Sequence, residues 1–186
     1  MSVLIVNTGV LKSTGLANDS VIGSTIAPGE TAGWMDYNDT TGNVNMPANT
    51  WTNVPNNGLG AFTNKSYPPA GTTELMDTST GKINPTELSL GDIILIRNDF
   101  TVLPQTNNTS LDLRYTLGNG AEAYTLEQQL GRLDRGAGVN YRFSLRVDSI
   151  YMGDNNTKNN HIGLQVKCSG AATLNNAGSV IEVFKR

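Results

Sequence analysis

Between Leu111 and Leu117 the chain places Leu111, Leu113, Tyr115 and Leu117 at every second position, with Asp112, Arg114 and Thr116 between them. Side chains on a strand point alternately to opposite faces, so this stretch makes a strand with one buried and one wet side. Val139, Tyr141, Phe143, Leu145 and Val147 repeat the pattern, as do Ile162, Leu164, Val166 and Cys168. A slip of one residue would turn every large side chain to solvent, so the register of such strands is fixed. Ile93-Ile94-Leu95-Ile96 is continuously apolar and predicts a strand buried on both faces. Arg97-Asn98-Asp99 interrupts it, Phe100 to Leu103 resumes it, and Val180 to Phe184 predicts a last strand. Alternating strands separated by turn signals indicate an all-β antiparallel sandwich or barrel, not a parallel α/β sheet.

Turn chemistry divides the rest. Gly118-Asn119-Gly120 supplies the positive φ angles of a tight hairpin, with Ala121 to Leu126 as the returning strand. Leu126, Leu130 and Leu133 fall near helical spacing and predict one helical turn over 127–135. Residues 46–80 are rich in Pro, Asn and Gly, with Trp51 and Phe62 as the expected core anchors. Residues 1–45 are polar and only patchily apolar. They read as an N-terminal arm, or as an ordinary sheet edge of the domain formed by 46–186.

Only 16% of residues are charged, whereas Asn, Thr and Gly make up roughly a third of the chain. Neutral amides and hydroxyls desolvate more cheaply than charges, which suits extended protein contact and also carbohydrate contact. The net charge is −3 with no basic tract, which argues against a nucleic-acid partner. No apolar run is long enough to cross a bilayer as a helix, and residues 1–10 lack a secretion-signal pattern.

Reactive groups are sparse. The single histidine, His161, would have to serve any Ser-His or Cys-His system, and it follows an Asn-rich loop. The single cysteine, Cys168, is in phase with Val166 and Leu164 and reads as a small buried apolar side chain. One of each cannot assemble a zinc site. Asp36 with Asn38 and Asp39, and Asp154 with Asn155 and Asn156, are oxygen-rich enough for calcium, but turn-forming Asx residues account for both and the EF-hand spacing is missing. No catalytic, cofactor-binding or metal-ligating residue is assigned, and the expectation is a non-enzymatic protein. Trp34, Tyr37, Trp51 and Tyr67 are read as lying in polar loops, where they either stack on sugar rings or anchor the loops to the core.

The stretch from Trp51 to Arg186 resembles the trimeric jelly-roll proteins of tailed-bacteriophage virions, which are similar to the tumour-necrosis-factor and C1q heads. Trp51-Thr52-Asn53-Val54-Pro55-Asn56-Asn57-Gly58 and Leu88-Ser89-Leu90-Gly91-Asp92-Ile93-Ile94-Leu95-Ile96-Arg97-Asn98-Asp99 carry the resemblance, with the Gly-Asn-Gly hairpin and the terminal strand. It implies a jelly-roll β-sandwich over 46–186, a homotrimer with a sandwich edge facing the threefold axis, and no catalytic residues. It further implies a virion structural protein on the capsid surface, of the decoration (cement) type, whose partners are itself and the major capsid protein. Residues 1–45 would then attach it, with Val3, Leu4, Ile5 and Val6 as the candidate contact. The alternative within the family is a tail-fibre or head-fibre module that recognises host-surface glycan through Trp34, Tyr37, Trp51 and Tyr67. A sugar-active enzyme on a jelly roll is a third reading, which nothing in the sequence favours.

Overall fold

The computed structural model describes residues 4–7, 10–13, 31–144 and 146–186. The strands are β1 (Leu4–Asn7), β2 (Val10–Ser13), β3 (Ala32–Asn38), β4 (Asn43–Met46), β5 (Thr52–Asn53), β6 (Asn64–Tyr67), β7 (Met76–Asp77) and β8 (Lys82–Ile83). They continue with β9 (Ile93–Pro104), β10 (Thr109–Leu117), β11 (Tyr124–Leu133), β12 (Tyr141–Phe143), β13 (Val147–Tyr151), β14 (Gly163–Cys168) and β15 (Ala172–Phe184). A five-residue helix, α1 (Asn155–Asn159), precedes β14.

The pairing identifies the architecture. β10 pairs with β11, β9 with β12 and β13, β5 with β14, and β3 with β15, all antiparallel. From β3 to β15 these pairs trace one long hairpin with its tip at β10–β11, and β6, β7 and β8 are additions within its first arm. Two further pairings, β9 with β15 and β10 with β14, roll that hairpin into two sheets. The result is a jelly-roll sandwich: a four-stranded sheet β11-β10-β14-β5 packed on a seven-stranded sheet β12-β9-β15-β3-β6, with β13 and β4 as side members. The all-β sandwich expected from the alternation is the fold observed.

Between the sheets lie Met35, Ile94, Ile96, Val102, Ile181 and Val183 from one side. Leu111, Leu113, Leu117, Val166 and Cys168 face them from the other. The predicted inward set of β10 is buried throughout, and so is the Ile162-to-Cys168 set.

Several local expectations are corrected. The helical turn over 127–135 is strand β11 instead. Its register shifts where Leu111 and Asp112 pair with Gly131 and Gln129, leaving Leu130 as an extra residue. That bulge breaks the two-residue period, so Leu126, Leu130 and Leu133 imitate helical spacing. The Val139-to-Val147 strand is two strands, β12 and β13. From Phe143 to Val147 the chain advances four residues while its partners on β9, Phe100 and Arg97, advance three. The extra residue turns Val147 outward although Phe143 packs on the core; Leu145 lies outside the described residues. Arg97-Asn98-Asp99 does not interrupt β9: the strand runs through it, with Asn98 inward and buried. Phe62 is no core anchor, being 82% exposed; Val54, Leu75 and Met76 serve that part of the core.

β3 and β4 pair with β15 inside the seven-stranded sheet, so the expected arm is sheet from Ala32 onward. Earlier in the same stretch, β1 and β2 form a hairpin. It contains Leu4, Ile5 and Val6, whereas Val3 lies outside the described residues.

Candidate functional site

The outer face of the seven-stranded sheet is the least expected surface of the molecule. Ile93 and Leu95, predicted to be buried, point outward; Ile93 is exposed and Leu95 half-buried. The register lines up their neighbours. Tyr151, Ile93, Phe184 and Ala32 form one row across β13, β9, β15 and β3. Ser149, Leu95, Glu182, Trp34 and Tyr67 form the next, ending on β6. Val147, Arg97, Val180, Asp36 and Asn64 form the third. Tyr151 is 66% exposed, and Val147, Phe184 and Tyr67 are exposed as well. Single exposed apolar residues are ordinary, but contiguous rows on a sheet face mark a contact surface. Trp34 and Tyr67 stack at 5.1 Å between ring centroids, 28° from parallel, which stiffens the β6 end.

Beyond the third row the face changes character. Arg97 pairs with Asp99 at 3.1 Å. Burial pushes the Asp36 carboxyl up, with Arg97 opposing and Asp99 reinforcing the rise. Further along, Asn43, Thr101, Leu103, Asn140, Thr173 and Asn175 line a groove of about 340 Å³. Asn175 Nδ2 donates to Asn43 Oδ1 at 3.0 Å there.

The second feature is the open edge of the sandwich between β11 and β13. Tyr124, Leu126 and Gln128 stand opposite the inward-facing Leu117, Tyr115 and Leu113, yet Tyr124 and Leu126 are exposed because no strand among the described residues closes over them. A pocket of about 190 Å³ opens there, lined by Tyr115, Leu126, Glu127, Gln128, Asp148, Ser149 and Ile150. Asp148 is the hydrogen-bond hub of this lining. It accepts from Tyr115 Oη at 2.9 Å, Gln128 Nε2 at 3.1 Å and Arg146 Nη2 at 2.7 Å. Burial alone would raise its pKa, but the bonds from Arg146, Gln128 and Tyr115 together hold the carboxyl below its usual range. Burial, then the nearby Asp148 charge, push the Tyr115 phenol well up, so it stays a donor.

From Tyr115 a chain of polar groups crosses the core. Asn98 Nδ2 donates to Tyr115 Oη at 2.8 Å, and Ser179 Oγ donates to Asn98 Oδ1 at 2.7 Å. Asn56 Nδ2 approaches Ser179 Oγ at 3.5 Å and donates to Tyr37 O at 2.9 Å. A linked, satisfied network of this kind fixes one arrangement of the two sheets. Sequence reading missed it, although a lone Asn98 inside an apolar run was its visible sign.

By contrast, the outer face of the four-stranded sheet partners its own polar groups. Lys167 meets Asp112 at 3.2 Å, Arg114 meets Glu127 at 3.4 Å, and Arg114 Nε donates to Gln165 Oε1 at 2.7 Å. Trp51 lies under Arg114 and Lys167, 4.2 and 4.5 Å from its ring centroid. The four candidate aromatics are thus scattered. Trp34 and Tyr67 share one face and Trp51 is on the opposite sheet. Tyr37 is fully buried, donating to Glu74 and accepting from Leu75 N at 2.9 Å, so it touches no ligand.

The reactive singletons are also placed. Cys168 is buried in the core. His161 Nδ1 lies 3.5 Å from Asp77 Oδ2. Ser79 and Thr80 donate to that same carboxylate and hold Asp77 at about 2; the Ser79 hydroxyl is turned to the acid, not to the imidazole. Asp154 caps α1, its two oxygens taken by Thr157 N at 2.7 Å and Thr157 Oγ1 at 2.9 Å. Among the described residues no three His, Cys, Asp or Glu side chains converge as a metal site.

No protein-family model and no curated protein matches the sequence. Solved structures similar to the chain include Eiger, a TNF from S. frugiperda, at 15% identity and a TM-score of 0.43, covering 83% of this chain and 91% of that one. The PRD1 vertex protein P5 is similar at 18% identity and a TM-score of 0.38, covering 84% and 96%. The infectious bursal disease virus VP2 subviral particle is similar at 10% identity and a TM-score of 0.40; all of this chain matches 37% of that one. These are distant likenesses, and the jelly roll itself rests on the strand pairing above.

Proposed function

We propose that the chain is a structural subunit of a virion, a jelly roll that associates with copies of itself and docks on a capsid as a decoration protein. The observation that carries this reading is the outer face of β9. The sequence provides apolar side chains on both sides of that strand, whereas the described residues of a single chain cover only one. Ile93, Leu95, Phe184 and Tyr151 are the residues a second copy would bury.

The open β11–β13 edge is the matching element. It differs in shape from the flat face, so edge against face is a heterologous contact. Such contacts close into rings when the rotation allows, and a ring of three is the homotrimer that the family resemblance implies. The virion setting is supported by that resemblance and by a surface poor in charge but rich in amides and hydroxyls. Binding only to an assembled shell would stabilise it by mass action. The segment before β3, with Val3 to Val6, is the proposed attachment to the major capsid protein. The test is to add purified full-length chain, and a chain lacking residues 1–30, to undecorated heads. Full-length protein should bind in hundreds of copies per particle, and the shortened chain should assemble without binding. Equal binding by both, or by neither, contradicts the attachment assignment.

The groove of Asn43, Thr101, Leu103, Asn140, Thr173 and Asn175 favours a second reading, a receptor-binding module for host-surface glycan. Neutral amides and hydroxyls match sugar hydroxyls as donors and acceptors, and the exposed Tyr67 ring lies on the same sheet face. A handful of copies at the tail, with Asn175→Ala reducing adsorption, would favour it over decoration.

A further inference from the structure

An asparagine followed by glycine is open to attack by its own backbone, because the glycine puts no Cβ beside the attacking nitrogen. The sequence holds two such steps, Asn57-Gly58 and Asn119-Gly120, and the fold treats them in opposite ways. Asn57 is locked. Its Oδ1 accepts from Thr40 N and Leu59 N, both at 3.1 Å, and its Nδ2 donates to Thr40 Oγ1 at 2.9 Å. The N–H of Gly58 is taken as well, by Asn56 Oδ1 at 3.1 Å. Asn56 is itself buried and donates to Tyr37 O at 2.9 Å, so it does not yield that contact easily. The two groups that would have to react are thus held by other partners.

Asn119 is set up differently. It stands exposed at the tip of the β10–β11 hairpin, between Gly118 at φ +71° and Gly120 at φ +66°. Its Oδ1 accepts from Gly120 N at 2.7 Å, which brings the backbone nitrogen against the side-chain amide. Asn119 Nδ2, the group that would leave, donates to no atom among the described residues. A Cβ built on Gly120 would meet nothing within 4 Å, so the tip has room for a ring. Asn156 braces the turn from the side. Asn119 N donates to Asn156 Oδ1 at 3.0 Å, and Asn156 Nδ2 donates to Asn119 O at 3.3 Å. Neither bond engages the Asn119 side chain or Gly120 N.

We propose that Asn119 is a site of spontaneous deamidation and isomerisation. Hydroxide takes the Gly120 N–H proton, and the nitrogen attacks Asn119 Cγ. The N–Cγ bond forms, the Cγ–Nδ2 bond breaks, and ammonia leaves with a proton from solvent. Water then opens the five-membered imide, adding hydroxyl to one carbonyl carbon and hydrogen to the nitrogen. Cleavage of N–Cγ gives aspartate. Cleavage of the bond from nitrogen to the Asn119 main-chain carbonyl gives isoaspartate, whose main chain runs through the side chain and is one methylene longer. Either product puts a carboxylate where the turn was neutral. Isoaspartate also moves the groups that Asn156 grips. Tyr124 Oη lies 3.0 Å from Thr157 Oγ1, so α1 holds both the turn and the first residue of β11. Losing the grip on the turn loosens that end of β11, at the open edge of the sandwich. This inference is independent of the assembly reading.

The test is peptide mapping by mass spectrometry of the folded full chain aged in mildly alkaline buffer. Asn119 should convert at least about tenfold faster than Asn57, with both aspartate and isoaspartate formed. In urea, where the locks on Asn57 are gone, the two steps should convert at similar rates. Hydrogen exchange at Tyr124 to Leu126 should quicken in the aged wild-type chain and stay unchanged in aged Asn119→Gln, whose longer side chain does not form the five-membered ring. Equal rates at the two steps in the folded chain, or faster conversion at Asn57, overturns the site. Conversion of Asn119 without quicker exchange overturns the loosening of β11.

Discussion

The two outward faces of the sandwich are built on the same alternation and finished in opposite ways. On the four-stranded sheet the outward residues answer one another: Asp112 with Lys167, Arg114 with Glu127 and Gln165, and Trp51 beneath two cations. Within one chain that surface is complete. On the seven-stranded sheet the first two rows carry Tyr151, Ile93, Phe184, Leu95, Trp34 and Tyr67 beside Ala32, Ser149 and Glu182, and among the described residues Tyr151, Ile93, Phe184 and Tyr67 remain exposed. The difference teaches that a strand's outer side chains report what it meets. One face pairs its charges within the chain, and the other leaves a row of apolar groups exposed.

The sharpest way to break this comparison is to charge the bare face. Leu95→Glu with Phe184→Glu should weaken self-association by at least about 100-fold, read by sedimentation, because two buried apolar anchors are lost and two charges gained. Melting of the isolated subunit should change little.

A smaller effect is expected at the open edge. Asp148→Ala leaves Tyr115 Oη, Gln128 Nε2 and Arg146 without their shared acceptor, so stability should fall by about 1–3 kcal/mol, or about 4–8 °C for a midway loss. The same carboxylate gives a pH signature. Its folded pKa lies below its unfolded value, so its contribution is present above the unfolded pKa and lost as pH falls through the folded one. Urea melts between pH 6 and pH 3 should show a loss in the wild type that is smaller in Asp148→Ala.

On the finished face, Trp51→Ala should cost about 1 kcal/mol through its lost cation contacts and packing, with association unchanged. A loss of association would mean that both faces are interfaces. Smallest of all, Phe62→Ser should change stability by less than about 0.5 kcal/mol, since that ring is in solvent.

Strand faces were legible wherever the period of two ran unbroken, as from Leu111 to Leu117. They were misread wherever one extra residue entered. The bulge at Leu130 made a strand look helical, and the insertion before Val147 turned that residue outward. A bulge is a property of the pairing between two strands, so neither strand carries it alone. The apolar run Ile93 to Ile96 carried a second ambiguity, because a continuous apolar run does not tell which of its side chains the same chain buries: Ile94 and Ile96 are in the core and Ile93 is exposed. The polar chain from Asp148 to Asn56 joins residues far apart in sequence, and only Asn98 hinted at it. The four candidate aromatics shared a polar setting but not a place: Trp34 and Tyr37 fall on opposite faces of β3, Tyr67 is on β6, and Trp51 lies on the other sheet.

On the proposed reading, another copy of the chain covers the bare face. Sedimentation equilibrium of the full-length protein across roughly 1–100 μM measures this directly. One closed species of three chains, lost on charging Leu95 and Phe184, is the predicted result. A monomer that persists to the highest concentration would contradict it.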